Sequence, residues 1–174
     1  MLSIPLKPRP LGFSLIELMI AVAITTILVA IAVPSFRAMI RNSQIRNAAE
    51  SVVNGLQRAR AEAVARNTNV AFTFGTDSGW TISVVNPAST IDSRLSTEGS
   101  TNVTITALAA DLTTAANSIT FNTLGGVVTN PVSISRVNFA AVGGDKNLRV
   151  TVGVGGNAKM CDPSLATGSS PRAC

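Results

Sequence analysis

Glu17 is the one charged residue in an apolar run from Phe13 to Phe36, FSLIELMIAVAITTILVAIAVPSF. A carboxylate near the centre of a bilayer costs about 2.5–3.5 kcal/mol on insertion scales, and less near an edge, where Glu17 would lie. It calls for a positive partner. Cleavage of the chain after Gly12 would supply one, because Phe13 then carries a free α-amino group four residues before Glu17. The new N-terminus of a neighbouring copy could pair with the carboxylate, and desolvation would penalise mispaired arrangements. A second reading keeps Glu17 as a helix-end acid that reaches headgroups or complements a helix N-terminus.

The other reactive residues are few. The two cysteines, Cys161 and Cys174, enclose a segment rich in Pro, Gly and Ser, which reads as a disulfide-closed loop of an oxidising compartment. The alternative is two free thiols in a frayed terminus. Lys146, Arg149, Lys159 and Arg172 could form a diffuse basic patch giving salt-sensitive, sequence-independent binding to DNA, or could be solvated surface charge. There is no His and no Tyr, which removes the commonest general base and the commonest zinc ligand. Asp77, Asp92, Glu98 and Asp111 are scattered singly, so no metal site follows. With no nucleophile–base pair, no cofactor loop and Gly-Gly pairs that lead into no phosphate-binding helix, the sequence argues against an enzyme.

These residues need elements to position them. Hydrophobic residues make up 46% of the chain and charged residues 13%, a balance that expects lipid or neighbours. Residues 1–12 carry Lys7, Arg9 and three prolines and are poor helix material, whereas the following apolar run is long enough to cross about 30 Å of hydrocarbon. The basic stretch ends in Gly before the apolar run, an order that does not suit ordinary signal cleavage. Lys7 and Arg9 on one side face Arg37, Arg41 and Arg46 on the other, so charge does not set the topology.

Pro34 is expected to kink the helix without ending it. Beyond it Ile45, Ala49, Val52, Leu56, Ala59 and Ala63 recur at spacings of four and three, one apolar stripe on a helix predicted over 14–66 and stopped by Asn67-Thr68-Asn69. Strands are predicted at 70–74, 80–85, 103–106, 118–122, 126–128, 133–139 and 148–154, with hairpin turns at 123–126 and 143–146. Residues 86–117 read as the variable loop region. Phe72, Phe74, Trp80, Phe121 and Phe139 read as core. The expected fold is α+β: a long N-terminal helix, half transmembrane and half amphipathic, packed on an antiparallel β-sheet or small β-sandwich. Its parts are a leader 1–12, a transmembrane helix 13–36, and a globular domain 37–174 comprising helix 37–66, β domain 70–160 and tail 161–174.

Gly12-Phe13-Ser14-Leu15-Ile16-Glu17, after a basic leader and with Pro34 at the twenty-second position of the cut chain, resembles the cleavage signature of type IV pilins and type II secretion pseudopilins. The resemblance implies a prepilin peptidase that cuts after Gly12 and methylates the Phe13 amine, a cytoplasmic leader, and a globular part in the periplasm or outside. It also implies that Glu17 pairs with a neighbouring subunit's N-terminus during assembly on an inner-membrane platform. Residues 47–70, Gly79-Trp80, Ile119 to Gly125 and the strand at 148–154 followed by Gly156 and Cys161 resemble the GspH/FimT/FimU group of minor pilins. Some members that serve in DNA uptake carry Gly-Arg-x-Arg after the last long strand. Here that stretch is Gly156-Asn157-Ala158-Lys159, a departure that weakens the DNA reading, since Arg is the better phosphate fork.

Three functions are therefore expected in descending order: a minor pilin that initiates, primes or caps a pilus; a pilus-associated DNA-binding subunit of natural transformation; and a type II secretion pseudopilin of the H type. The implied partners are other pilin or pseudopilin subunits, the peptidase, the assembly platform, and the lipid bilayer before assembly, with DNA under the second reading.

Overall fold

The structure, a computed structural model, describes residues 12–128 and 132–174. Apart from Gly12, the expected leader lies outside the described residues. The chain divides into two compact units, the first ending at Arg37 and the second beginning at Ala38.

Helix α1 spans Leu15–Arg66 and continues through Pro34 without a break. It stops where the chain turns left-handed: Asn67 has φ 50°, the Asn67 N–H donates to the Val64 carbonyl at 3.3 Å and the Thr68 N–H to the Ala63 carbonyl at 3.2 Å. This pair of bonds is the Schellman arrangement, and Asn is one of the few residues besides Gly that tolerates its left-handed position.

In the first unit the helix residues are exposed throughout. In the second unit α1 buries Ile45, Ala48, Ala49, Val52, Gly55, Leu56, Ala59 and Ala63. All six residues of the expected stripe are among them, and Ala48 and Gly55 widen it. The small residues have a purpose. A Cβ at Gly55 would stand 2.8 Å from Phe72 Cε2 and 3.2 Å from the Trp80 ring, so only Gly lets the helix come this close. Beside it the Trp80 indole N–H donates to Ser51 Oγ at 2.9 Å, which satisfies the polar end of an otherwise buried ring. Phe72 meets Phe74 edge-on at 5.2 Å and Trp80 at 5.5 Å.

The rest of the second unit is eight strands: β1 Val70–Phe74, β2 Trp80–Val84, β3 Ser89–Arg94, β4 Val103–Leu108, β5 Ser118–Phe121, β6 Arg136–Ala141, β7 Leu148–Val152 and β8 Ala158–Cys161. They form two four-stranded sheets, ordered β3-β2-β1-β5 and β4-β6-β7-β8, with every pairing antiparallel. Burial alternates strictly along β1 and β2, the period-two signature of one face inward and one outward. Phe72, Phe121, Phe139, Ile82, Ile119, Val137 and Val150 join the helix stripe in a single hydrophobic core.

The structure departs from the expected elements at four places. The stretch 86–117, expected as a variable loop region around a strand at 103–106, holds a further strand, β3, besides β4. Residues 126–128 form no regular strand; Val127 makes an isolated bridge to Phe121, flanked by the bonds Asn122 N–H to Gly126 O and Val128 N–H to Thr120 O, both at 2.8 Å, while the Val127 N–H donates to Val154 O at 3.0 Å. The strand expected at 133–139 begins at Arg136 and runs to Ala141. Lastly, β8 was unforeseen, and it carries Cys161 as its final residue. The turn at 123–126 is present, and 143–146 lies in the β6–β7 connection, where Gly144 N–H donates to Ala141 O.

Candidate assembly helix and basic sheet face

The head of α1 is built by a cap. Ser14 Oγ accepts the Glu17 N–H at 3.3 Å and the Ser14 carbonyl accepts the Leu18 N–H at 3.2 Å. Ser14 is thus the N-cap and Glu17 stands at the third helical position, the Ser-x-x-Glu spacing typical of helix starts. A carboxylate there faces the positive end of the helix dipole, which favours its charge. The sequence reading missed the role of Ser14, although the spacing was visible in the text.

Phe13 is 84% exposed, and from Leu15 to Ile40 the large apolar side chains of the helix are exposed as well. By length and composition α1 is able to cross a membrane. The polar side chains between Glu17 and Pro34 are Thr25 and Thr26, and both hydroxyls bond back to carbonyls one turn earlier, Ala21 O at 2.7 Å and Val22 O at 2.8 Å. Such back-bonding satisfies a hydroxyl without any outside partner. Among the described residues no side-chain hydrogen bond or ion pair engages the Glu17 carboxylate, so it is the polar group of this segment left to an outside partner.

Of the four cations expected to bind DNA, sheet register places two, Arg149 and Lys159, on one face. Register puts Arg149 opposite Asn138 and Cys161, and Lys159 opposite Thr151. These side chains point away from the core residues Val137, Phe139, Val150 and Val152. Arg136, also opposite Thr151, joins them. It went unnoticed in the sequence because only the sheet register aligns it with the other two. Lys146 and Arg172 instead both act on the Asp162 carboxylate.

Arg149 donates from Nε to Asn138 Oδ1 at 2.8 Å. Partial burial, and then the like charge of Arg136, push its guanidinium below its ordinary value. The Nε of Arg136 is buried with no hydrogen-bond partner.

Cys161 and Cys174 form a disulfide with Cα atoms 5.1 Å apart. The tail it closes is ordered by local bonds: Asp162 N–H to Arg172 O at 2.7 Å, and Asp162 Oδ1 accepting the Ser164 N–H at 2.9 Å and the Ser164 hydroxyl. These donors hold the Asp162 carboxyl below the usual range. Among the described residues no group of three or more His, Cys, Asp or Glu is placed to hold a metal ion.

Comparison with known proteins agrees with this anatomy. The family model described as type II transport protein GspH matches residues 48–156, and the prokaryotic N-terminal methylation motif matches residues 8–33. No curated protein matches the chain. Among solved structures, the type IV minor pilin FimU of Pseudomonas aeruginosa is similar in two crystal forms. One is 21% identical with a TM-score of 0.50 over 71% of this chain and 98% of FimU; the other is 21% identical with a TM-score of 0.51 over 72% and 93%. The fold is thus pilin-like. Since the GspH model matches more than half of its residues, the chain belongs to the GspH family and is a pilin of the GspH/FimT/FimU type.

Proposed function

We propose that the protein is a minor pilin that helps to initiate, prime or cap a type IV pilus. It is cut after Gly12, methylated on the Phe13 amine, and held in the inner membrane by the first half of α1, with the second unit in the periplasm. It then enters the filament with Glu17 accepting a neighbour's N-terminus. The observation that carries this reading is the outward-looking Glu17 at the head of an exposed apolar helix, inside the segment that matches the methylation motif. Breaking a desolvated ion pair by removing one member typically costs about 3–5 kcal/mol, because the other charge is left unpaired.

Glu17→Ala is therefore expected to leave membrane insertion intact and to sharply reduce the amount of this subunit in sheared filaments. Normal incorporation would defeat the pairing. Deletion of the gene is expected to abolish or strongly reduce surface pili, and unchanged piliation would defeat the pilus role.

The second reading, a pseudopilin that helps push folded proteins out, is favoured by the GspH description of the matching family model. The same deletion separates the two: loss of protein secretion with normal pili supports the pseudopilin.

A further inference from the structure

The turn between β6 and β7 is tied by side-chain bonds to the first helical residues of the second unit. Arg41 Nη1 donates to the Val142 carbonyl at 2.7 Å, and Asn42 Oδ1 accepts the Asp145 N–H at 3.1 Å and the Lys146 N–H at 3.3 Å. Gly144 lets the turn lie close on α1, since a Cβ there would stand 3.0 Å from Ile45 Cδ1 and 3.4 Å from Asn42 Oδ1. The residue at the tip of this anchored turn is nevertheless apolar and outside the core, for Val142 is 84% exposed. Beside it a Cβ at Gly143 would meet nothing within 4 Å, so that flank is open. Met39 and Ile40, immediately before Arg41 on α1, are exposed as well.

A single exposed aliphatic residue is ordinary on a protein surface. What sets Val142 apart is its height along α1. The apolar run ends at Phe36, five residues before Arg41, and the helix is unbroken between them. Arg41 therefore follows the run by about 7.5 Å of helical rise. The headgroup layer on each side of a bilayer is about 5–8 Å deep, so a helix spanning with that run carries Arg41, and the carbonyl it holds, to the level of the phosphates. Charge agrees with this placement: between Glu17 and Glu50 the helix carries Arg37, Arg41 and Arg46 and no acid.

We propose that before assembly the β6–β7 turn docks on the phospholipid bilayer that holds α1. Val142 enters the boundary between headgroups and acyl chains, and the Arg41 guanidinium, which spends one N–H on the Val142 carbonyl, offers the others to a headgroup phosphate. The proposal rests on the reading that the first half of α1 spans the inner membrane. Arg suits both tasks, because its stem covers apolar surface while its charged fork stays in polar surroundings and matches a phosphate. A protein partner is the poorer fit. A stable protein interface buries about 800 Å² on each side, far more than one aliphatic tip beside a cation, whereas a lipid contact is already held in place by the helix. Such a contact fixes the tilt of the second unit on the membrane and breaks easily when the subunit leaves for a filament.

The test uses the full chain in vesicles of phosphatidylethanolamine and phosphatidylglycerol, with one cysteine introduced at a time and labelled with the fluorophore NBD. Cys161 and Cys174 are joined to each other and take no label. Three exposed positions are compared: Val142→Cys at the turn, Val29→Cys within the apolar run, and Leu124→Cys. The turn that carries Leu124 is held by Arg60, about 28 Å further along α1 than Arg41. Phosphatidylcholine bearing a nitroxide high on its acyl chain should quench the probes at 29 and 142 severalfold more than the probe at 124. Quenching at 29 with no more at 142 than at 124 would overturn the docking and leave the membrane span standing. No quenching at 29 would overturn the span and the docking together. Blue-shifted emission at 142 without quenching by the lipid would place a protein there instead, and would equally overturn the proposal.

Discussion

Three glycines of the second unit share one backbone conformation and differ in what surrounds them, which makes the role of Gly156 testable. Gly125 and Gly156 have φ +78° and Gly143 has φ +77°. An alanine at any of them meets the same left-handed penalty, about 1–2 kcal/mol. At Gly143 a Cβ would meet nothing within 4 Å. At Gly156 it would stand 2.2 Å from the Gly125 carbonyl oxygen and 3.2 Å from Arg60 Cδ. A backbone carbonyl cannot swing aside as a side chain can, and this one also accepts the Arg60 Nε–H at 2.9 Å. Displacing it adds an overpacking cost of about 1–3 kcal/mol and loosens a charged hydrogen bond worth about 1.5–3 kcal/mol. Gly156→Ala should therefore be about 2–4 kcal/mol more destabilising than Gly143→Ala. At about 2–4 °C per kcal/mol for a chain of this size, the two melting temperatures should differ by roughly 5–15 °C. The only tryptophan, Trp80, is buried against Phe72 and reports unfolding by its fluorescence. Equal losses in the two variants would refute the close approach of the 125 and 156 turns as the reason for glycine at 156.

Two further outcomes follow from the tail and the loops. Replacing both Cys161 and Cys174 by Ser should cost about 3 kcal/mol in the chain-entropy model for a loop this short, seen as a lower melting temperature than in the oxidised wild type. The carboxyls of Asp111 and Asp162 are both held below the ordinary value of about 3.9 by donors, Thr113 and Thr114 in the first case and Ser164 in the second. A depressed folded value means that their contribution is complete above the ordinary value and is lost as pH falls through the lower one. The amide resonances of Thr114 and Ser164 should titrate with midpoints below 3.9. Midpoints at or above it would contradict the hydrogen bonding at both turns.

Much of the fold was legible because it depends on periodicity. The stripe from Ile45 to Ala63 and the alternation of Val70, Phe72 and Phe74 state which face is buried, and the structure buries those residues. β3 was not legible. Its residues Ser89 to Arg94 are mostly polar, none is fully buried, and its pairing shifts register between Ile82 and Ser83 of β2, so it is an edge strand defined by its neighbour. β8 is a four-residue edge strand whose pairing with β7 defines it. Conversely, 126–128 had a strand's composition but meets β5 through a single isolated bridge, too short a run to make a strand. The candidate sites divide in the same way. Glu17 and the cysteine pair could be found by position along the chain, whereas Arg136 joins Arg149 and Lys159 only through the register of three strands.

The back-bonded threonines have a consequence for how helices of this kind would stack. With Thr25 and Thr26 satisfied within their own turns, the side chains from Leu18 to Val33 present a surface that is chemically almost uniform along its length. Apolar contact is non-directional, so two such surfaces slid past each other by one helical turn, about 5.4 Å, bury similar area. Nothing along the shaft then distinguishes one axial offset from the next. On the proposed pairing of Glu17 with a neighbour's Phe13 amine, the ratchet tooth would be at the tip, and the rise of each subunit along a filament would be set there.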